Sequence, residues 1–257
     1  MDSLQAIIFG IVQGVSEFLP ISSTGHLILT SRLLELAQTE FLKSFEIIIQ
    51  LGSILSVIAL YWRKLFTDWE TIKKIAVAFI PTGILGLIFY KIVKQSLLGN
   101  NTVVLWSLFL GGVLLIIFEL WPGKKKEIGE KITEISYRQS FLIGVAQSVA
   151  IIPGVSRSAA TILGGLMLGI ERKTIVEFSF LLAVPTMLAA TGLDLIKSAD
   201  QFSLSQWNFL AVGFIVSFIV ALASIKFLVN FIKKHSFIPF GIYRIAVSLA
   251  FWLLILN

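Results

Sequence analysis

Six uninterrupted apolar runs dominate this sequence, at residues 45–62, 75–90, 103–121, 178–194, 209–225 and 239–255. Each is close to the roughly 20 residues that an α-helix needs to cross the hydrocarbon core of a bilayer. The chain left between them is too short for a second folded domain. Of the 257 residues, 56% are hydrophobic and only 14% are charged, whereas a soluble globular domain carries roughly 25% charged residues. A water-soluble monomer is therefore excluded, and one membrane-embedded domain is expected. There is no cysteine, which excludes disulfides, thiolate metal sites and a cysteine nucleophile. The histidines are His26 and His235, far apart in sequence, so a histidine-built zinc site is not expected. The first cation is Arg32. Without a basic segment ahead of it, the first apolar stretch is expected to be mature structure rather than a signal peptide.

Two further stretches, 4–31 and 139–169, are apolar at both ends and polar in the middle. The first contains Gln13, Ser16, Glu17, Pro20, Ser22, Ser23, Thr24 and His26, and the second Gln147, Ser148, Pro153, Ser156, Arg157, Ser158 and Thr161. Irregular backbone and ionisable groups survive at membrane depth only inside protein or beside a watery cavity. Both stretches therefore read as re-entrant helix-loop-helix hairpins. They are also related to each other: at an offset of 134, Gly10 falls on Gly144, Gln13 on Gln147 and Ser22 on Ser156. At an offset of 135, Ala76 to Ile80 fall on Ala211 to Ile215. The fold class expected is all-α, with six transmembrane helices plus two re-entrant hairpins in an inverted-topology repeat. The halves are residues 1–122 and 136–257, joined by a basic cytoplasmic loop at 123–135. One hairpin and three spans per half make an odd number of crossings, which inverts the second half relative to the first.

Charge sets the orientation. On this topology the loops 63–74, 122–138, 171–177 and 226–238 share one face and hold 14 of the 21 lysines and arginines, against 5 on the other. The richer face is expected to be cytoplasmic, with both termini outside. The net charge of +6 then reflects topology, and no nucleic-acid partner is implied. Trp62, Trp121 and Trp207, near span ends, fit an interfacial aromatic belt.

The chemistry is concentrated at the hairpin tips. Gln13 and Glu17 are four apart, so on a helix they share one face and are positioned to hold a divalent cation or a water. Pro20 is expected to end that helix. Ser22, Ser23 and Thr24 then stand at the entry to a second helix, where hydroxyls and free backbone N–H groups make a cap and, equally, an anion cradle. His26, three residues beyond Ser23, brings an imidazole towards a hydroxyl, as activation of a serine or water nucleophile requires. The second tip repeats the plan around Arg157, whose planar fork suits phosphate oxygens, with Ser156 and Ser158 as caps. An unpaired arginine at membrane depth is costly, so Glu17 or a bound phosphate is expected beside it. Glu46, Glu119, Glu177, Asp194 and Arg244 are read mainly as structural pairs. Gly10 with Gly14, Gly83 with Gly86, and Gly165 with Gly169 are read as close helix contacts.

These residues carry a resemblance. Gln13 to His26 and Pro153 to Ser158 are similar to the two signatures of the undecaprenyl-diphosphate phosphatases of the bacitracin-resistance type, a (Glu/Gln)-x-x-x-Glu box running into Pro-x-Ser-Ser-Thr-Gly-His, and Pro-Gly-x-Ser-Arg-Ser. The likeness continues through Phe45-Glu46, Glu177 to Phe180 and Ser236 to Phe240. It implies a bacterial plasma-membrane enzyme that hydrolyses polyprenyl diphosphate and recycles the lipid carrier of cell-wall synthesis, with its site open to the extracytoplasmic face. Within the resemblance, Gln13 and Glu17 are metal and diphosphate ligands for Mg2+ or Ca2+, and Ser23 is the nucleophile with His26 as its base. Arg157 with Ser22, Thr24, Ser156, Ser158 and Thr161 binds phosphate. Gln13 stands where many members have glutamate, giving a metal one negative charge fewer, and Ala159 stands where a glycine is common. A homodimer is left open. Because inverted repeats with broken helices also build secondary transporters, a polyprenyl-phosphate transporter is the second reading. It would bind phosphate but has no use for an activated serine.

Overall fold

A computed structural model describes residues 1–256 apart from residue 38 and segments 93–96, 98–99, 122–130 and 199–203. The regular structure of the described residues is helical: α1 (Ser3–Ser16), α2 (Ser23–Leu33), α3 (Glu40–Thr67), α4 (Trp69–Ile92), α5 (Asn101–Leu120), α6 (Tyr137–Ser148), α7 (Arg157–Met167), α8 (Arg172–Ser198), α9 (Leu204–Phe231) and α10 (Ile238–Leu256). Five of them, α3, α4, α5, α8 and α9, are long and apolar enough to cross a membrane. The chain is an all-α integral membrane protein. α10, the sixth expected span, is apolar but shorter. Most of the expected basic joining loop, including Lys124 to Lys126, lies outside the described residues, as does the loop after Lys197.

Both polar-centred stretches are broken helix pairs. At 1.5 Å per residue, α1 with 14 residues and α2 with 11 are about 21 and 16 Å long, too short to cross a core of about 30 Å. The same holds for α6 and α7, with 12 and 11 residues. The start signals of α1 and α6 match at the repeat offset. Asp2 caps α1 in a capping box with Gln5, and Ser136 caps α6 in a capping box with Gln139, so backbone donors at each entry are satisfied by the same local device. α1 ends at Ser16 with Glu17 as its C-cap, so the helix stops upstream of Pro20 rather than at it.

The pairs are held by exchange between halves. α1 packs on α9 and α6 on α4, while α5 packs on α10 and α3 on α8 and α9. Glycines permit the closest crossings. A Cβ on Gly10 would lie 2.8 Å from Gly213 O, one on Gly14 would lie 2.8 Å from Ser217 O, and one on Gly144 would collide with the Ala78 carbonyl. The other glycine expectations divide. A Cβ on Gly165 would run into Ile175, but Gly169 sits at φ 82°, a turn position rather than a contact, and Gly86 has nothing within 4 Å. The atoms nearest a Cβ on Gly83 belong to Phe79 of its own helix. Spacing alone does not tell a glycine at a helix crossing from one without a close neighbour.

Among the charged residues near spans, Glu119 pairs with Arg172 and Glu177 with Lys64, both at 2.5 Å and both across the halves. Glu46 differs from the expectation, its buried Oε1 having no hydrogen-bond partner. The side chain of Asp194 lies outside the described residues.

Candidate active site

The two tips meet. Arg157 Nη2 lies 3.1 Å from Glu17 Oε1, and Ser158 Oγ donates to Phe18 O at 2.7 Å. Arg244 closes the junction from α10. Its guanidinium donates to Pro20 O at 3.2 Å in the first tip, to Val155 O and Gly154 O at 3.0 Å in the second, and to Leu108 O and Ser107 O on α5. The side chain is fully buried. Backbone carbonyls thus satisfy a cation expected to sit in a structural ion pair, and they belong to both broken helices at once.

Each tip also holds its serine N-cap in the same unusual conformation. Ser22 has φ 74° and Ser156 φ 78°, a region that costs a non-glycine residue about 1–3 kcal/mol. The Ser22 hydroxyl accepts from Gly25 N and the Ser156 hydroxyl from Ala159 N. Ahead of those caps, the first N–H groups of α2 and α7 have no intrahelical acceptor, and the helix dipole adds positive potential there. Both Ser22 and Ser156 therefore act first as caps, at helix entries whose free N–H groups suit an anion. Thr24 lies half-buried in the first turn of α2.

Glu17 is the hub of the first tip. Its Oε2 accepts from Gln13 Nε2 at 2.8 Å and from Ser23 Oγ at 2.7 Å, while Oε1 faces Arg157. The carboxylate side chain is 3% exposed. Arg157 is held in turn by Ser179 on α8, through Nη1 to Ser179 O at 2.8 Å and to its Oγ at 3.3 Å, and its guanidinium stands 5.9 Å from the Phe18 ring centre. Two buried polar atoms remain without a partner beside this hub, Arg157 Nε and Gln13 Oε1. One is a donor suited to an anion and the other an acceptor suited to a cation or water.

Three of the expected site residues have partners other than those expected. The hydroxyls of Ser158 and Thr161 are engaged within the protein. Ser158 is spent on Phe18 O, while Thr161, fully buried, bonds within α7 and meets Ser179 Oγ at 2.5 Å. Both hold the tip and Arg157 in place. His26 is not joined to Ser23: its Nδ1 lies 2.8 Å from Ser22 O and its Nε2 2.9 Å from Tyr243 OH. The three-residue spacing put imidazole and hydroxyl on neighbouring helix positions, but the ring turns back over the cap. No role at the site was expected for Ser179 or for Tyr243, each a polar residue inside a largely apolar run.

No cluster of three or more His, Asp or Glu side chains that could hold a metal ion occurs among the described residues. The oxygen donors at the hub, Glu17 and the unpartnered Gln13 Oε1, nevertheless fit a hard cation that takes its remaining ligands from water and phosphate.

With this geometry in view, relatives can be compared. The sequence profile described as bacitracin resistance protein BacA matches residues 6–250. The chain belongs to the BacA family. The undecaprenyl-diphosphatase of Aquifex aeolicus is 54% identical over 98% of both chains. That of a Sulfurihydrogenibium species is 56% identical over 98% of this chain and 99% of its own. The undecaprenyl-diphosphatase of Persephonella marina is 48% identical over the full length of both. The BacA resemblance of the two tip motifs thus extends through every helix that frames them.

Proposed function

We propose that this protein hydrolyses undecaprenyl diphosphate, or a similar polyprenyl diphosphate, to the lipid monophosphate and inorganic phosphate. The reading rests on the names of its full-length relatives and on one observation in the site, a serine hydroxyl donated to a buried carboxylate whose other oxygen faces an arginine. A transporter would use the arginine and the helix entries but gives that hydroxyl no task.

In the proposed reaction the terminal phosphate lies against Arg157 and the N–H groups opening α2, which neutralise and orient it. Ser23 Oγ attacks the phosphorus as its proton passes to Glu17 Oε2. The bond to the bridging oxygen breaks, and the lipid monophosphate leaves with the electron pair. A water then attacks the phosphoserine, losing a proton towards His26, while Glu17 returns its proton to Ser23 Oγ as the phosphate leaves. Phosphoryl transfer depends chiefly on positioning and charge neutralisation, so a buried, fully oriented carboxylate and arginine are the parts it needs. A divalent cation, Mg2+ or Ca2+, held by Glu17 and Gln13 Oε1, would supply further neutralisation of the phosphate oxygens.

The site is proposed to open to the extracytoplasmic face of the bacterial plasma membrane with both termini outside, in keeping with the lysine and arginine bias of the loops. The inverted repeat of residues 1–122 and 136–257 is proposed on the matching caps and the reciprocal packing of α1 on α9 and α6 on α4.

The test is phosphate release from a short-chain isoprenyl diphosphate by purified protein in detergent. Wild-type protein is expected to release phosphate, a chelator to suppress it, and Ser23→Ala to abolish it. Full activity in Ser23→Ala would remove the serine from the attack and favour a water nucleophile. Absence of release from wild-type protein would overturn the function.

A further inference from the structure

The imidazole of His26 is gripped at both nitrogens. Ser22 O, 2.8 Å from Nδ1, is a carbonyl and can only accept, so Nδ1 carries a hydrogen. In the neutral ring Nε2 is then the lone-pair nitrogen, and the group at 2.9 Å from it is the Tyr243 hydroxyl, which must donate. The two rings are nearly parallel, with centroids 5.5 Å apart and planes 8° from parallel. Tyr243 comes from α10, 217 positions along the chain, next to the arginine that joins the tips. It is 43% exposed, and its hydroxyl covers the basic nitrogen of the imidazole.

We propose that Tyr243 is the proton-relay partner of His26. The inference rests on the function proposed above and deepens it. Because one nitrogen is committed to Ser22 and the other is covered by Tyr243, a proton enters or leaves His26 through that hydroxyl. As water attacks the phosphoserine, the hydroxyl oxygen accepts the water proton while the hydroxyl's own proton moves to Nε2. One O–H bond breaks in water and one forms on the tyrosine oxygen; the tyrosine's original O–H breaks and an N–H forms. Tyr243 ends neutral and His26 cationic. A hydroxyl serves because it is donor and acceptor together, so it donates to the neutral imidazole and accepts from the protonated one.

Tyr243→Phe tests this, since it removes the hydroxyl and keeps the ring. Turnover of an isoprenyl diphosphate is expected to fall about tenfold in kcat, in line with one hydrogen bond lost at a reacting group. KM should stay within about twofold, because the substrate's own contacts are retained. The second readout is carbethoxylation by diethyl pyrocarbonate, followed by mass spectrometry at one pH. His235 is the only other histidine and serves as the internal reference in each sample. Removing the hydroxyl uncovers Nε2, so the rate at His26 relative to His235 should rise several-fold in Tyr243→Phe. Both changes are required. Wild-type kcat, a loss confined to KM, or an unchanged labelling ratio would each overturn the relay. The labelling reads the contact without turnover, so a wild-type protein that releases no phosphate would overturn the proposed function, and is thereby told apart from failure of the relay.

Discussion

Arg157 brings a cation into an apolar assembly, and its contacts explain how it remains both stable and useful. One nitrogen is held by Ser179 and another by Glu17, and Nε is left as a buried, unpartnered donor. Removing one member of a buried charge pair typically costs about 3–5 kcal/mol, so variants must keep the charge to be informative. Arg157→Lys does so but replaces a planar fork by a point charge. It cannot reach Ser179 and Glu17 while presenting a further donor to phosphate. Phosphate release should fall by roughly two orders of magnitude, the scale of a lost charge-stabilising donor, while the purified protein keeps its elution profile and melting temperature. Near-normal turnover would reduce Arg157 to a counter-ion of Glu17. The residues at this hub were legible because their signal is local: Gln13 and Glu17 share a helix face, and Ser23 and Arg157 each follow a proline and a capping serine. Tyr243 and Ser179 were not, because they reach the site from helices remote in sequence. Nothing in an apolar run ranks one polar side chain above another.

At the scale of the element, the broken helices are the feature that a membrane chain must justify. Each pair ends its first helix in an irregular turn whose carbonyls need donors, and Arg244 and Ser158 supply them to Pro20, Gly154, Val155 and Phe18. Packing of α6 on α4 is set by Gly144, where a Cβ would meet the Ala78 carbonyl, a backbone atom that cannot step aside. Gly144→Ala is expected to destabilise by about 1–3 kcal/mol through overpacking, seen as a lower melting temperature in detergent. Gly86→Ala on α4 is the contrast, since its Cβ meets nothing within 4 Å and alanine is the better helix former by about 1 kcal/mol. It should melt at or above wild type. Equal effects at the two positions would show that the α4–α6 contact is looser than described. The existence of these helices was legible from apolar runs, but their ends were not. α3 starts at Glu40 on a Thr39 cap, and α9 continues to Phe231 past Lys226. Both extensions carry polar or charged residues that end an apolar run without ending a helix.

For the whole molecule, direction across the bilayer is not fixed by helix packing, and the proposal for it rests on loop charge. Trp62 and Trp121 stand exposed at ends of α3 and α5 that lead into lysine- and arginine-bearing loops, as interfacial anchors do. The turn between α3 and α4 follows Arg63 and Lys64, whereas the connection from α2 to α3 carries Arg32 and Lys43 at its margins. On the charge bias the first of these is expected to be cytoplasmic and the second extracytoplasmic, the side proposed for the first broken pair. The chain contains no cysteine, so single thiols report without background. Thr67→Cys and Ala37→Cys place them at exposed positions on the two connections. In intact cells an impermeant thiol reagent should label Ala37→Cys and spare Thr67→Cys, with both labelled once the membrane is opened. The reverse pattern would turn the molecule over and put the Glu17 tip on the cytoplasmic side. Labelling of both in intact cells would mean that an odd number of crossings does not separate them, and α3 would then no longer count as a span.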